Sequence, residues 1–354
     1  MTVQQRHWSD DPATDLSYQI HGQLFGSFTG HIIKAFVELH LADVLAAGPM
    51  PVPELCAAVG ADPGILPGFL SVCAYLDLVE VDENENLRLT DRGRLLRFNT
   101  FDAKFARFLT APGTNRMYEQ ISSLVLSGAP PRSISGRGIY QHFEEDKTAG
   151  EAFQDVMTEL SGGCVEGLLA AYDFSRHRKI VDLGGGKGVL LSSILHNTPG
   201  PSGLLYETPS VIEMARASIE PTISRRIEFV AGSFLEKVPA DGDLYILKSI
   251  VCDWGDHEVD RILRNCYRSV PEGTALLVID WFGPEQSPTE ISSDETIFRN
   301  LFLRTLFGGR LRSQREFRAA LTGAGFRVDK VIPEFSAGSP FGPPSPWNLI
   351  IARR

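Results

Sequence analysis

Three alternate glycines follow directly after an apolar segment, which is an arrangement that lets a backbone approach a bound nucleotide closely. The segment Lys179–Leu183 predicts a strand, the glycines are Gly184, Gly186 and Gly188, and residues 189–195 predict an apolar helix. Glycine turns the chain tightly, and a helix N-terminus presents backbone N–H groups to polar or anionic ligands. We therefore expect a strand–loop–helix site for a nucleotide-like cofactor.

The spacing of the loop and the residue before it distinguish between two cofactors. The loop departs from the G-x-G-x-x-G pattern of dinucleotide sites. Asp182 lies at the end of the predicted strand, where a carboxylate would attract a cationic amino-acid group. S-adenosylmethionine carries such a group and NAD does not, so these residues favour S-adenosylmethionine.

Two further segments carry residues suited to a nucleoside. Glu207 ends the next predicted strand about 20 residues after the glycines, the distance expected for an acid that binds ribose hydroxyls. The alternative is a solvated carboxylate at a helix start. Ser233 and Phe234 end a third predicted strand and could bond and pack an adenine, although each could instead belong to the core.

The elements that position these residues predict an α/β domain. From residue 179 onward apolar runs alternate with helical stretches, which is typical of a doubly wound, parallel sheet. Residues 336–346 are rich in Gly, Pro and Ser and predict a loop, and residues 106–175 predict a helical roof over the site. Seven strands are predicted, over residues 179–183, 203–206, 227–230, 244–247, 275–279, 326–331 and 348–352.

The N-terminal part has the pattern of a winged helix-turn-helix. Helices are predicted at 19–45, 52–60, 67–76 and 90–96, with two short strands at 78–81 and 87–89. Such a domain either binds DNA or forms a protein interface. Because residues 64–76 contain no Lys or Arg to reach phosphates, dimerisation is favoured. We expect a dimerisation domain over residues 1–105 and a catalytic domain over residues 106–354.

Composition excludes several classes of protein. The net charge of −10 disfavours nucleic acid as a partner, and no apolar run approaches the ~20 residues that span a bilayer. The five cysteines are scattered without a C-x-x-C pair, so neither a disulfide framework nor a metal site is expected. Residues 1–15 are polar and acidic, unlike a secretory signal, so a cytoplasmic location is expected.

The order of these features resembles the plant and bacterial small-molecule O-methyltransferases of the caffeate, flavonoid and polyketide type. These are class I S-adenosylmethionine-dependent enzymes with a winged-helix dimerisation domain, and the resemblance extends over about Gly30–Arg353. Its most specific stretches are Gly232–Phe234, Asp243–Lys248, Asp253–Trp254 and Arg261–Asn265.

The resemblance assigns roles to the residues at the cofactor. It implies that Gly184 and Gly186 lie against the cofactor and that Glu207 holds the ribose. It also implies that Ser233 and Phe234 face the adenine and that Lys248 lies beside the cofactor. Ser233 stands where many relatives carry Asp, and its hydroxyl can still accept a hydrogen bond.

The catalytic positions depart from the family pattern. The resemblance implies a histidine base directly before the Asp-Trp pair, where this chain has Cys252. One orienting carboxylate is kept as Asp280, and the other is replaced by Leu311. A positioned base contributes typically 10²–10⁴-fold to a rate, so its loss changes the chemistry. Cys252 is a catalytic candidate as a thiol base, and a small filler in the place of the imidazole is the alternative.

Three explanations of this departure follow. Methyl transfer to an already nucleophilic acceptor can proceed by alignment alone. The bound cofactor can instead support a non-methylating reaction, such as hydroxylation, decarboxylation or cyclisation. Another residue can replace the base, with His142 and His31 as candidates. Phe153 and Met157, at helical spacing in the roof, are expected to form the wall of the substrate pocket.

We therefore expect a homodimeric methyltransferase that acts on a small aromatic or polyketide-like compound of secondary metabolism, such as an antibiotic precursor. The same scaffold running a non-methylating reaction is the alternative enzyme. A winged-helix regulator that senses S-adenosylmethionine is a third possibility, which the acidic composition disfavours.

Overall fold

The computed structural model describes residues 16–132, 136, 138–285, 294–336 and 347–354. Most of the loop predicted at 336–346 lies outside the described residues, as do residues 1–15. The chain divides into two compact units, Met1–Asn115 and Arg116–Arg354. Among the described helices, none combines the length and the apolar character that crossing a bilayer requires.

The first unit contains the predicted helices and the two-stranded wing. Its elements are α1 Leu16–Glu38, α2 Leu41–Leu45, α3 Val52–Val59, α4 Leu66–Tyr75, β1 Val79–Val81, β2 Leu87–Leu89, α5 Asp91–Arg94 and α6 Phe101–Leu109. Helix α7, Pro112–Tyr118, begins in this unit and ends in the second. The wing strands pair antiparallel. The core of this unit includes the fully buried side chains of Phe36, Leu41 and Leu55.

The prediction of one helix over 19–45 is wrong at a single point. The chain turns between α1 and α2 at His40, which has a left-handed backbone with φ of 53°. The His40 N–H donates to the carbonyl of Val37, three residues back, so the α-helical ladder stops there. The turn places Leu41 and Leu45 in the core of the unit.

Four helices precede the sheet of the second unit: α8 Ile121–Ser127, α9 Ile139–Glu145, α10 Lys147–Gly162 and α11 Val165–Ala171. Asp146 lies between α9 and α10 and caps α10 by accepting a hydrogen bond from the Ala149 N–H at 3.1 Å. Gly150 permits the two helices to pack closely, because a Cβ there would lie 2.6 Å from the Phe143 carbonyl oxygen. This junction fixes the side chains of α9 relative to those of α10.

A seven-stranded sheet forms the centre of the second unit, in the order β5-β4-β3-β6-β7-β9-β8. Its strands are β3 Lys179–Leu183, β4 Ser202–Glu207, β5 Ile227–Ala231, β6 Leu244–Lys248, β7 Ala275–Asp280, β8 Arg327–Ser336 and β9 Trp347–Arg353. All seven predicted strands are confirmed. The first five run parallel, whereas β9 is antiparallel to both of its neighbours.

The second unit's remaining helices are α12 Val189–Asn197, α13 Pro209–Ser218, α14 Pro221–Ser224, α15 Asp256–Ser269, α16 Asp294–Leu306 and α17 Gln314–Gly323. Strand β3 lies between β4 and β6, so the strand order reverses there. In open α/β sheets ligands bind beyond the carboxyl ends of the strands at such a switch point. The residues that follow β3, β4, β5 and β6 therefore meet at one edge.

Candidate active site

A cavity of about 240 Å³ lies at this edge of the sheet. The roof contributes Tyr140, Phe143, Phe153 and Met157 to its lining. The contact of Phe153 and Met157 with a substrate stays a prediction. The structure also brings together all of the residues predicted at the cofactor, namely Asp182, Gly184, Gly186, Glu207, Ser233, Phe234 and Lys248.

The loop between β3 and α12 requires glycine for two reasons. Gly184, Gly186 and Gly188 have left-handed backbones, with φ of 70°, 59° and 76°. Gly185 is needed for space, because a Cβ there would lie 2.4 Å from Oδ2 of Asp182. At Gly184, Gly185 and Gly186 the loop therefore presents its backbone to the cavity.

Glu207, at the end of β4, is fixed by two backbone donors. Its Oε1 accepts a hydrogen bond from the Gly186 N–H at 3.1 Å, and its Oε2 accepts one from the Thr208 N–H at 2.8 Å. Burial raises the pKa of this carboxyl. Each carboxylate oxygen can accept a further hydrogen bond, so Glu207 can bind the two hydroxyls of a ribose.

Two buried ionisable side chains, Asp182 and Lys248, lie beside the loop. Among the described residues neither carboxylate oxygen of Asp182 has a hydrogen-bond partner, and burial raises its pKa to about 7. The Lys248 Nζ donates to Ser249 Oγ at 3.2 Å and lies 4.5 Å from the centre of the Trp347 ring, and burial lowers its pKa.

Buried polar groups without partners are unfavourable unless a ligand or water completes them. A ligand with an ammonium and a carboxylate would complete both Asp182 and Lys248. The amino-acid end of S-adenosylmethionine has this pair of charges, so the residues present fit that cofactor.

Phe234 packs against the glycine loop at Gly184. Its ring lies 3.1 Å from the position that a Cβ on Gly184 would take, and it contacts the Trp254 ring edge-on at a centroid distance of 6.0 Å. Asn265 on α15 donates to the carbonyls of Phe234 and Leu235 at 3.0 and 2.9 Å and holds this turn in place.

An aromatic cluster lies next to the cofactor residues. Tyr140 stacks on Trp254 at a centroid distance of 5.4 Å with an interplanar angle of 12°. Phe143 stacks on Phe153 at 4.6 Å, and Phe307 lies 5.6 Å from Tyr140. Of these rings, Phe153 is the one predicted from the sequence to line the pocket. The spacing of Tyr140 and Phe143 on one face of α9 could have indicated two of the others.

Cys252 lies in a short 3₁₀ turn, Val251–Asp253, which begins three residues after the last residue of β6. Its backbone N–H donates to Oδ2 of Asp280 at 3.0 Å, and its Sγ donates to Oδ1 of Asp253 at 3.4 Å. Burial raises the pKa of the thiol well above its usual value, and both carboxylates raise it further. The thiol is therefore protonated at neutral pH and is poorly suited to act as a base.

Asp280 supports this turn. Its Oδ1 accepts from the Trp281 N–H at 2.9 Å while its Oδ2 accepts from Cys252, and burial raises its pKa to about 6. Leu311 is buried and its backbone N–H donates to Asn300 Oδ1 at 3.1 Å. Within the described ranges, none of Cys252, Asp280 and Leu311 lines the cavity.

In the part of the chain that the structure describes, neither of the two histidine candidates lines the cavity. His142 is buried on α9 and is absent from the cavity lining, because its neighbours Tyr140 and Phe143 occupy the face of the helix that points there. The role of His142 as a replacement base stays a prediction. His31 belongs to the first unit, where its Nε2 lies 3.4 Å from Asn115 Nδ2.

Asp253 is a buried carboxylate for which the sequence predicted no role. It lines the cavity, it accepts hydrogen bonds from the Tyr140 hydroxyl and the Cys252 thiol, and burial raises its pKa to about 7. In the part of the chain that the structure describes, no cluster of three or more His, Cys, Asp or Glu side chains is arranged to hold a metal ion.

Comparison with known proteins identifies both units. Residues 118–327 match the model of the O-methyltransferase domain, and residues 22–97 match that of the O-methyltransferase dimerisation domain. A mitomycin biosynthesis 6-O-methyltransferase of Streptomyces lavendulae is 32% identical over 94% of this chain and 96% of its own length.

Two solved structures resemble the whole chain. That of the mitomycin 7-O-methyltransferase MmcR has a TM-score of 0.83 and 30% identity, and covers 96% of this chain and 97% of its own. CalO1, a methyltransferase in calicheamicin biosynthesis solved with S-adenosylhomocysteine bound, has a TM-score of 0.72 and 26% identity, and covers 96% of this chain and 99% of its own. Together with the cavity and its cofactor residues, these matches show that the chain belongs to the S-adenosylmethionine-dependent O-methyltransferase family.

Proposed function

We propose that this chain transfers a methyl group from S-adenosylmethionine to a small, planar aromatic or polyketide-like secondary metabolite, aligned in the cavity without a histidine base. The observation that carries the proposal is the aromatic cluster of Tyr140, Phe143, Phe153 and Trp254 directly beside the glycine loop, with a protonated thiol at the family's histidine position.

The residues around the glycine loop support cofactor binding. Asp182 would hold the ammonium and Lys248 the carboxylate of the amino-acid end. Glu207 would bind the ribose hydroxyls, and Ser233 and Phe234 would bond and pack the adenine. When bound, S-adenosylmethionine supplies an electrophilic methyl group on a sulfonium.

The class of acceptor follows from the wall of the cavity. Aromatic rings favour offset-stacked or edge-to-face partners, so stacked rings such as Tyr140 on Trp254 favour a planar ligand. The relatives described above take part in mitomycin and calicheamicin biosynthesis, which supports an acceptor from the same broad class of metabolites. Met157 adds an adaptable apolar contact to the wall.

Alignment can replace much of what a strong base provides. Holding two reactants in a near-attack geometry is worth roughly 7–11 kcal/mol at its largest. An acidic phenol, an enol or an amine is already nucleophilic, so its reaction depends mainly on this alignment. The protonated Cys252 thiol also avoids methylation of the enzyme itself, because the thiolate is the nucleophilic form.

A second candidate function is a non-methylating reaction that retains the bound cofactor. It is favoured by two replacements among the three family positions: Cys252 stands in place of the histidine and Leu311 in place of a carboxylate. One experiment separates the two functions. The chain is incubated with S-adenosylmethionine and a panel of naphthols, hydroxyquinones and aminoarenes, and both S-adenosylhomocysteine and the products are measured by mass spectrometry. Methyl transfer requires equal amounts of S-adenosylhomocysteine and methylated product. A product formed without S-adenosylhomocysteine would establish the second function instead.

The chain is also proposed to act as a homodimer. The first unit matches a dimerisation model, and one face of α1 exposes a row of large apolar side chains at helical spacing. These are Leu16, Ile20, Leu24, Phe25 and Phe28.

A further inference from the structure

We propose that Asp253 is the proton acceptor of this active site and that the Tyr140 hydroxyl is the group that positions it. The inference rests on the proposed methyl transfer and concerns acceptors that still carry a proton on the attacking atom. It gives a catalytic role to the residue next to Cys252, in place of the missing imidazole.

The position of Asp253 in the turn supports this role. The 3₁₀ turn Val251–Asp253 directs Cys252 into the interior and leaves Asp253 at the cavity surface. The next residue, Trp254, stacks on Tyr140, so the carboxylate lies beside the rings that would hold a planar acceptor. Asp253 lines the cavity and accepts a hydrogen bond from Tyr140, a residue of this aromatic cluster.

The hydrogen bonds of Asp253 fix its carboxylate and leave acceptor positions on both oxygens open. The Tyr140 hydroxyl donates to Oδ2 and the Cys252 thiol donates to Oδ1. A carboxylate offers about four acceptor positions, so two remain for a proton or an acceptor hydroxyl. Because burial and the neighbouring Asp253 raise the pKa of Tyr140 well above its usual value, the phenol stays protonated and keeps donating.

Burial and the neighbouring groups together bring the pKa of Asp253 to about 7. Burial is the largest cause of the increase, and the neighbouring Asp280 raises the pKa further. The hydrogen bonds from Tyr140 and Cys252 and the charge of Lys248 lower it. A base is most effective when its pKa lies near the working pH, so this balance suits proton transfer near neutrality.

The reaction step balances with the groups present. The acceptor oxygen or nitrogen forms a bond to the methyl carbon, and the carbon–sulfur bond breaks with its electron pair remaining on sulfur. The proton of the acceptor passes to a carboxylate oxygen of Asp253. S-adenosylhomocysteine, methylated product and a neutral Asp253 result, and solvent removes the proton after release.

The test compares two acceptors that differ in whether they need a base. The probes are 2-naphthol, which is protonated at neutral pH, and a nitro-substituted naphthol, which is already ionised. Formation of S-adenosylhomocysteine is followed from pH 5.5 to 9 for the wild type, D253N and Y140F. Y172F and D173N are matched controls, because Tyr172 bonds His177 and Asp173 caps an exposed turn away from the cavity lining.

We expect D253N to lose about 100-fold or more of kcat on 2-naphthol and less than about threefold on the ionised probe, with cofactor affinity unchanged. We expect Y140F to shift the acidic limb of the kcat profile to higher pH, because loss of its hydrogen bond raises the pKa of Asp253. This variant keeps the carboxyl and so tests the proposal even if D253N does not fold.

Equal losses of D253N on both probes, or a Y140F profile that coincides with the wild type, would overturn the inference. If the wild type forms no S-adenosylhomocysteine with any acceptor in the panel, the proposed function itself fails. If the wild type is active and D253N retains full activity on 2-naphthol, the proposed function stands and only the inference fails.

Discussion

Position 252 shows how one buried residue changes the chemistry of a shared site. The Cys252 backbone N–H bonds Asp280, so the turn after β6 keeps its shape without an imidazole. Its thiol is protonated at neutral pH and donates to Asp253. Any effect of Cys252 on the reaction therefore passes through its hydrogen bond to Asp253.

Cys252→Ser tests whether the thiol takes a proton itself. The serine hydroxyl can also donate to Asp253, and neither group ionises near neutrality, so we expect kcat to stay within about threefold from pH 6 to 9. Burying the more polar hydroxyl should lower the free energy of unfolding by about 1–3 kcal/mol. Rates of S-adenosylhomocysteine formation and urea denaturation provide the two measurements.

Cys266→Ser is the matched control, since Cys266 is also fully buried and its side chain faces the core behind the sheet. We expect a similar loss of stability there. A loss of kcat above tenfold in Cys252→Ser alone, removed at high pH, would identify the thiol as the base.

Asp182 predicts a pH dependence of stability in the protein without cofactor. Its pKa is about 7 when folded and about 3.9 in an unfolded chain, so the folded state binds more protons between these values. The free energy of unfolding therefore falls as the pH rises from about 4 to 7. Asp182→Asn removes this dependence.

We expect Asp182→Asn to be more stable relative to the wild type at pH 8 than at pH 5, by on the order of 2 kcal/mol. We also expect its affinity for S-adenosylmethionine to fall more than tenfold, because an amide cannot neutralise the ammonium. Urea denaturation at the two pH values and calorimetric titration measure these effects. A stability difference that is the same at both pH values would show that Asp182 ionises normally in the fold.

At the scale of elements, polar contacts tie the roof to the glycine loop and to the end of β4. Lys187, in the loop, forms a 2.6 Å ion pair with Asp155 on α10. Glu144 on α9 accepts hydrogen bonds from Thr208 Oγ1 at 2.5 Å and Ser210 Oγ at 2.8 Å. Because Thr208 directly follows Glu207, the residue proposed to bind the ribose, α9 is coupled to the proposed cofactor site.

Glu144→Ala tests this coupling. The substitution removes two hydrogen bonds at an exposed position, each worth about 0.5–1.5 kcal/mol. We expect S-adenosylmethionine to bind about 3- to 10-fold more weakly, mainly through faster dissociation in stopped-flow measurements. Glu151→Ala, on the exposed face of α10, is the control and should bind as the wild type does. Unchanged dissociation in Glu144→Ala would show that α9 and the cofactor site are independent.

The strands and the cofactor loop could be predicted because their signals are local. An apolar run followed by glycines, as at Lys179–Gly188, fixes both the strand and the turn after it. The bond between Tyr140 and Asp253 joins residues 113 positions apart, and it exists only once α9 packs over the end of β6. His142 was chosen by residue type, whereas the orientation of α9 decides which side chains reach the cavity.

At the scale of the whole molecule, the two units have different surfaces. The second unit buries its apolar strands on both faces, so β6 and β7 are fully buried. The first unit has its own core but leaves one face of α1 apolar and exposed. Leu24 is 70% exposed and Phe28 is 61% exposed, one helical turn apart. Rows of this kind mark association surfaces in soluble proteins.

Substituting Leu24 and Phe28 together by Glu tests whether this row forms the dimer interface. Charges in the centre of a buried apolar interface lose hydration without gaining partners, so we expect the sedimentation mass to fall from that of a dimer to that of a monomer at micromolar concentration. The matched control is Leu126→Glu on α8, which introduces the same chemistry at a side chain that is 88% exposed. Because Leu126 stands outside the row, its variant should keep the dimer mass. A double variant that also keeps this mass would place the interface elsewhere on the chain, and a wild type that sediments as a monomer would contradict the homodimer itself.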